Sequence, residues 1–285
     1  MAAVSFSKVE GLGNDFILLD RLDHAAGGLV EIVAWARAIA PRICERRTGI
    51  GADGILIVGA GQSEDSLGTM IVVNADGSRP EMCGNGLRCV AAFLAGRYKV
   101  DAVRIDTDAG GRDCRIVGRS ANATDVAIDM GPATSLGKRS PKAGGGREFI
   151  GIGVGNPHAI CFVSGEDDLE TLARSYGPAI ETDAAYLPDK TNVEFAAREP
   201  DGSLTLWVWE RGVGITQACG TGACATAAAA VREQLLPADA PITVRLPGGA
   251  LTIVVPSDPR AGIEMTGPSR HVFTGVVHVD DARSS

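Results

Sequence analysis

Cys219-Gly220-Thr221-Gly222, which leads into the alanine-rich run Ala223–Leu235, has an earlier counterpart in Cys83-Gly84-Asn85-Gly86, which also opens a helical run. In both places a thiol stands just ahead of a helix. Free backbone N–H groups and the positive end of the helix dipole there favour a thiolate or a bound carboxylate. Other landmarks repeat in the same order. Gly11-Leu12-Gly13-Asn14 is matched by Gly153-Val154-Gly155-Asn156, and strand-like runs end at Asn74 and Glu210, equally far ahead of their cysteines. Ordered repetition of this kind points to an internal duplication. The expectation is an α+β protein of two pseudo-symmetric domains, each a sheet curled around one apolar helix whose N-terminal end carries the thiol.

The domains are expected at residues 1–130 and 131–271, with a last strand over 272–285 returning to the first. Short apolar, β-branched runs predict strands at Ser5–Glu10, Phe16–Asp20, Gly54–Val58 and Thr69–Asn74. Helical spacing begins near Glu31, where Pro41 is expected to kink or interrupt the helix, and returns over Leu87–Gly96. Further strands are expected at Val103–Thr107, Arg112–Val117 and Asp125–Met130. The segment Gly137–Arg147 reads as a passage between the halves. In the second half, strands are expected at Phe149–Val154, Ala159–Val163, Thr191–Ala196 and Leu204–Glu210. A helix over Asp167–Tyr176 should stop at Gly177-Pro178, and the alanine-rich helix at Pro237. The closing strands are expected near Ile242–Leu246, Ala250–Val255, Ile263–Thr266 and Val272–Val279.

Composition narrows the class. The chain has 285 residues, 45% apolar and 22% charged, enough to bury a core without covalent staples. A net charge of −8 and the lack of a basic stretch argue against nucleic acid or an anionic membrane as partner. The N-terminus does not read as a leader and no apolar run is long enough to span a bilayer, so a cytoplasmic protein is expected. Seven cysteines without a repeated Cys-x-x-Cys spacing argue against a disulfide framework or a structural zinc site. Cys44, Cys89, Cys114, Cys161 and Cys224 lie in apolar runs and read as packing residues. Gly137-Lys138-Arg139-Ser140 lacks the upstream glycine of a phosphate loop.

Two duplicated thiols suit a particular chemistry. A stereocentre is inverted when one group removes a proton from one face and a second delivers one to the other, so acid and base must be pseudo-symmetric. A thiol pKa of about 8.5, lowered by a helix N-terminus, would bring a thiolate/thiol pair within reach of neutral pH. Gly84 and Gly86, like Gly220 and Gly222, would let backbone N–H groups approach a carboxylate and stabilise charge building on it. A single such thiol could equally be a buried packing residue or a redox centre; the pair carries the catalytic reading.

Met82-Cys83-Gly84-Asn85-Gly86-Leu87-Arg88-Cys89, Gly11-Leu12-Gly13-Asn14-Asp15-Phe16, Gly155-Asn156-Pro157-His158, Glu210-Arg211-Gly212 and Gln217-Ala218-Cys219-Gly220-Thr221-Gly222-Ala223-Cys224 resemble diaminopimelate epimerase, as does Met265-Thr266-Gly267-Pro268. The resemblance runs from Phe6 to about Gly275. It implies mostly antiparallel sheets around central helices and an isomerase that interconverts LL- and meso-diaminopimelate, for lysine and peptidoglycan precursors, without pyridoxal phosphate or metal. Carried over by residue, it makes Cys83 and Cys219 the acid/base pair. His158 and Glu210 become the auxiliary pair that tunes them, with Glu210 also in reach of the substrate amine. Asn14, Asn74, Asn156, Asn192 and Arg211 would hold the substrate's distal end. Gly84-Asn85 and Gly220-Thr221 would meet the reacting carboxylate. Amides that both donate and accept, beside a guanidinium that grips a carboxylate at two points, suit such a substrate. One family position differs: Gly54 stands where well-known members carry a substrate-contacting glutamine. The resemblance also suggests a homodimer and a small-molecule substrate as sole partner, enclosed in a cleft between the domains.

Two other readings are kept. One is a cofactor-independent racemase or epimerase of another amino acid, although proline offers no distal charged end for Asn74, Asn156, Asn192 and Arg211. The other is a non-catalytic small-molecule binding protein, against which the retained thiol pair speaks.

Overall fold

The computed structural model describes residues 2–24, 28–80, 82–164 and 167–279, in two units: residues 1–128 with 267–285, and residues 129–266. The first unit begins with an antiparallel pair, β1 (Ala2–Gly11) and β2 (Asn14–Arg21), joined by the turn at Leu12-Gly13. Helix α1 (Leu29–Ile43) then crosses to β3 (Gly54–Gly59), which runs parallel to β2. Strand β4 (Gly68–Asn74) returns antiparallel, and α2 (Gly84–Tyr98) crosses to β5 (Ala102–Asp106), parallel to β4. Two antiparallel additions follow, β6 (Arg112–Arg119) and β7 (Thr124–Asp129).

The second unit repeats this order of pairings. β8 (Thr134–Arg139), β9 (Phe149–Gly153) and β10 (Pro157–Phe162) are successive antiparallel neighbours. Helix α3 (Leu169–Glu181) crosses to β11 (Asn192–Arg198), parallel to β10, and β12 (Leu204–Glu210) returns antiparallel, with the two-residue β13 (Gly214–Ile215) beside it. Helix α4 (Gly220–Arg232) crosses to β14 (Pro241–Leu246), parallel to β12. β15 (Gly249–Val254) and the first residues of β16 (Glu264–Val279) close the series antiparallel, and the rest of β16 pairs with β1 in the first unit. The duplication seen in short motifs is therefore a duplication of topology: antiparallel, parallel across a helix, antiparallel, parallel across a second helix, then antiparallel twice.

The second helix of each unit is the central one. α2 touches β1 through β6, and its Leu87, Val90 and Leu94 are fully buried. Burial of each such side chain is worth about 1.5–3 kcal/mol. α4 touches β9, β10, β11, β12, β14 and β15 and is buried nearly all round, from Gly222 through Ala230. Its residues there are alanine and glycine apart from Cys224 and Thr226, small enough to let strands close on it from so many sides. α1 and α3 lie against their sheets by one face: Leu29, Val33, Ala36, Ile39, Ala40 and Ile43 for α1, and Leu169, Ala173 and Ile180 for α3. Among the described residues no helix is long and apolar enough to cross a membrane.

Several expectations from sequence are corrected. Pro41 lies inside α1, in its last turn, without interrupting it. α3 continues through Gly177-Pro178 to Glu181, because Ile180 is fully buried in the core and Gly177 lies so close to Trp209 that an added Cβ would be 2.4 Å from the Trp209 Cβ. The segment expected as a passage over Gly137–Arg147 begins as part of strand β8, paired with β9. The alanine-rich helix ends at Arg232, before Pro237, where Gln234 takes a positive φ of 58°. The two strands expected at Ile263–Thr266 and Val272–Val279 are one, running through Pro268. Of the expected terminal segment 272–285, residues beyond Val279 lie outside the described residues.

Candidate active site

In the first unit, β2, β3 and the start of α2 bring three candidate residues together. Cys83 is the N-cap of α2 in an extended conformation (φ −140°, ψ 112°), and its carbonyl accepts the Leu87 N–H at 2.8 Å. Its sulfur lies 3.9 Å from Asn14 Oδ1, which also accepts from Asn85 Nδ2 at 3.1 Å. Asn14 in turn donates to Asp53 Oδ2 at 2.7 Å. The fully buried Arg88 bonds Asn85 Oδ1 at 2.8 Å and the Pro268 carbonyl at 3.2 Å, fixing the helix end that carries the thiol. Gly84 is the first helical residue. Asn74 ends β4 and pairs in register with Gly54, while its side chain donates to Ser78 Oγ at 2.8 Å. Gly54 itself is hemmed in: an added Cβ would meet the Val73 carbonyl oxygen at 2.6 Å.

The second unit gathers more. Cys219 is the N-cap of α4; its sulfur accepts from Gly222 N at 3.3 Å and lies 3.5 Å from Thr221 Oγ1. Gly220 is the first helical residue, against Met265. Glu210, at the end of β12, accepts a hydrogen bond from Thr216 Oγ1 and acts on Cys219 through its charge. His158 on β10 pairs in register with Asn192 on β11. Its ring spans two acceptors, Glu194 Oε1 at 2.6 Å from Nδ1 and Asn156 Oδ1 at 2.9 Å from Nε2. Asn192 is spent on backbone: it donates to the Pro157 carbonyl at 2.8 Å and accepts the Arg211 N–H at 3.0 Å. Arg211 bonds the Asp189 carbonyl at 2.6 Å, and Glu181 fixes its turn through Gly212 N at 3.1 Å and Trp209 Nε1 at 2.8 Å.

The electrostatics correct one expectation. A helix N-terminus was expected to lower the cysteine pKa, yet burial, together with the Glu210 and Glu194 carboxylates, pushes the Cys219 thiol well above its ordinary range. The bonds from Thr221 and Gly222 oppose this and lose. Burial likewise raises the Glu210 and Glu194 carboxyls, against their bonds to Thr216 and the nearby His158. Sequence reasoning missed Glu194, Asp53 and Thr216. A charged residue inside the buried run Val193-Glu194-Phe195 was a usable signal, since a fully buried strand tolerates a carboxylate only beside a specific partner.

A profile of the family described as diaminopimelate epimerase matches residues 6–136 and 150–272. A diaminopimelate epimerase of Desulfitobacterium hafniense is 38% identical, covering 97% of this chain and 99% of its own length. One of Rhizorhabdus wittichii is 41% identical, covering 95% and 94%. Solved structures of the same fold include a PhzF-family phenazine biosynthesis protein of Bacillus anthracis (TM-score 0.75, 13% identity, 98% of this chain and 100% of that one). A hydroxyproline epimerase of Agrobacterium vitis is a second (TM-score 0.69, 14% identity, 100% and 93%). With a profile that spans both units and relatives aligned over nearly their full length, the chain belongs to the diaminopimelate epimerase family.

Proposed function

We propose that the protein interconverts LL- and meso-2,6-diaminopimelate by two-base proton transfer between Cys83 and Cys219, with neither pyridoxal phosphate nor metal. The observation that carries the reading is the repeat itself: each unit delivers a cysteine to the N-cap of its central helix. One sulfur, as thiolate, takes the α-proton; the other, as thiol, gives a proton to the opposite face of the same carbon. The configuration inverts, and the two sulfurs end with exchanged protonation states. Burial and the neighbouring carboxylates favour the protonated form of Cys219, and either thiol serves as base according to the direction of the reaction.

The remaining roles follow from chemistry at each helix end. Gly84-Asn85 and Gly220-Thr221 offer first-turn N–H groups to the reacting carboxylate, where charge builds as the proton leaves. Glu210 acts on the Cys219 thiol through its charge and with His158 adjusts its basicity; it also meets the substrate ammonium. Asn14, Asn74, Asn156, Asn192 and Arg211 bind the distal amino-acid end. For Asn192 the support is indirect, since both ends of its amide already hold backbone and fix the Arg211 turn. The reading places the enzyme in the cytoplasm as a homodimer, with no membrane or nucleic-acid partner. A chirally resolved assay on LL-diaminopimelate tests it: appearance of the meso isomer is expected from protein without added cofactor, and a stable LL substrate would overturn the assignment.

A further inference from the structure

Glu194 carries no proton in the two-base chemistry, yet it is a fully enclosed charged group beside Cys219. Its side chain and that of His158 are both 0% exposed, and they meet at 2.6 Å between Oε1 and Nδ1. Glu194 sits mid-strand on β11, opposite Ile160 of β10, and its Oε1 lies under the first turn of α4, 3.1 Å from where a Cβ on Gly222 would be. Its other oxygen is buried and has no hydrogen-bond partner among the described residues. The titratable groups that face this pair are Glu210 at the end of β12, Cys219 at the head of α4 and Tyr186 in the loop after α3.

Proton counting fixes the ring. A contact of 2.6 Å between Nδ1 and a carboxyl oxygen contains one shared proton. On the other side Nε2 meets the carbonyl oxygen of the Asn156 amide, which only accepts, so Nε2 must carry its own proton. Imidazolium with carboxylate and imidazole with carboxylic acid differ only in where the shared proton rests; in both, Nε2–H points at Asn156. Burial pushes the Glu194 carboxyl up while His158 pulls it down, and neither outcome disturbs that bond. With Oδ1 on the His158 ring, the NH2 of Asn156 is the end of the amide left for another partner. An NH2 group can bind a carboxylate oxygen and repels an ammonium.

We infer that Glu194 is a positioning residue: through His158 it holds the Asn156 amide with its NH2 toward the substrate, so that Asn156 reads a carboxylate. This rests on the reading above that Asn156 binds the distal end of the substrate. A merely structural ion pair would behave otherwise: removing one partner would lower stability and leave KM and the Nε2 proton as they were.

The test uses the full chain labelled with 15N-histidine, the His158 signals being assigned from a His158→Gln variant. In the wild type, Nε2 is expected to be protonated; an Nε2 that shows a bare lone pair would overturn the inference, whatever the variants do. Glu194→Leu should free the ring to exchange tautomers and raise KM for LL-diaminopimelate about tenfold to hundredfold, the loss of one hydrogen bond to a charged group. Glu194→Gln should restore most of that KM, since its amide N–H can donate to Nδ1 and keep the proton on Nε2. Unchanged KM in Glu194→Leu, a fall confined to kcat, or a Gln variant as impaired as Leu would each overturn the relay. Should Glu194→Leu not fold, the wild-type spectrum and the Gln variant still decide. Failure of the proposed function reads differently: wild-type protein inactive on diaminopimelate, with the Nε2 proton still in place.

Discussion

Gly222→Ala sets stability against rate at the thiol. On propensity alone, replacing a glycine in a helix by alanine should stabilise by about 1 kcal/mol. The new methyl, however, would lie 3.1 Å from Glu194 Oε1, 3.2 Å from Cys219 Sγ and 3.3 Å from Cys219 Cβ. Ordinary heavy-atom contact needs roughly 3.5–4.0 Å, so a neighbour must move by several tenths of an ångström. Glu194 is clamped to His158 at 2.6 Å inside the core, whereas the Cys219 sulfur can rotate about one bond. The sulfur should therefore yield. Overpacking costs about 1–3 kcal/mol, which leaves net stability between unchanged and about 2 kcal/mol lower. For kcat, a 1 Å misplacement of a reacting group can cost about a hundredfold, so a shift of a few tenths should cost about threefold to tenfold. The repeat supplies its own control. A methyl on Gly86 would meet the Leu56 side chain at 2.8 Å but Cys83 Cβ at a comfortable 3.7 Å, so Gly86→Ala should cost stability and leave kcat nearly intact. Urea unfolding and steady-state epimerisation of both variants give the two readouts. A folded Gly222→Ala with wild-type kcat would refute the placement of Cys219 sulfur at the reacting carbon.

Cys83→Ala and Cys219→Ala should each abolish epimerisation, by about a thousandfold or more in kcat, while far-UV circular dichroism stays native; full activity in either variant removes that thiol from the mechanism. Gly54→Gln, which restores the family's more familiar residue, should not improve KM and should destabilise by about 1–3 kcal/mol in urea, because the side chain would start 2.6 Å from the Val73 carbonyl; a stable variant with lower KM would show that the strands there can open. Cys89 and Cys114 are pushed up to about 12 by burial, from an ordinary value of 9.0, so the native state holds thiol protons that the unfolded chain releases. Stability from such raised groups is fully present below pH 9 and is lost as pH rises toward 12. Each contributes a fall of about 1.4 kcal/mol per pH unit in that window, and Cys114→Ala should flatten the slope of unfolding free energy by that amount between pH 9.5 and 10.5. An identical slope in the variant would count against a raised Cys114.

Much of this was legible in the sequence because the chain repeats itself. Cys-Gly-x-Gly twice, each ahead of an apolar helix, was enough to expect a thiol at each central helix, and α2 and α4 have Cys83 and Cys219 as their N-caps. Local signals failed where tertiary contacts outweighed them. Gly177-Pro178 reads as a stop, but Ile180 beyond it is core, so α3 continues; two strands were expected at Ile263–Thr266 and Val272–Val279, yet β16 runs on through Pro268 between them. The thiol's protonation was misread for a related reason: a helix end is visible in sequence, whereas the burial of Cys219, joined by the Glu210 and Glu194 carboxylates, is set by the fold. Asn192 shows the same limit. Its residue type suits a substrate, and only the folded strand order reveals that its amide is already holding Pro157 and Arg211.

The central claim is that two thiols exchange protons with one carbon, and solvent isotope tests it most directly. In deuterated water, LL-diaminopimelate converted by the enzyme should carry deuterium at the inverted carbon in every molecule of meso product from the first turnovers, since the thiol that delivers the proton has equilibrated with solvent. Meso product that retains the substrate's own hydrogen at that carbon would contradict the two-base account.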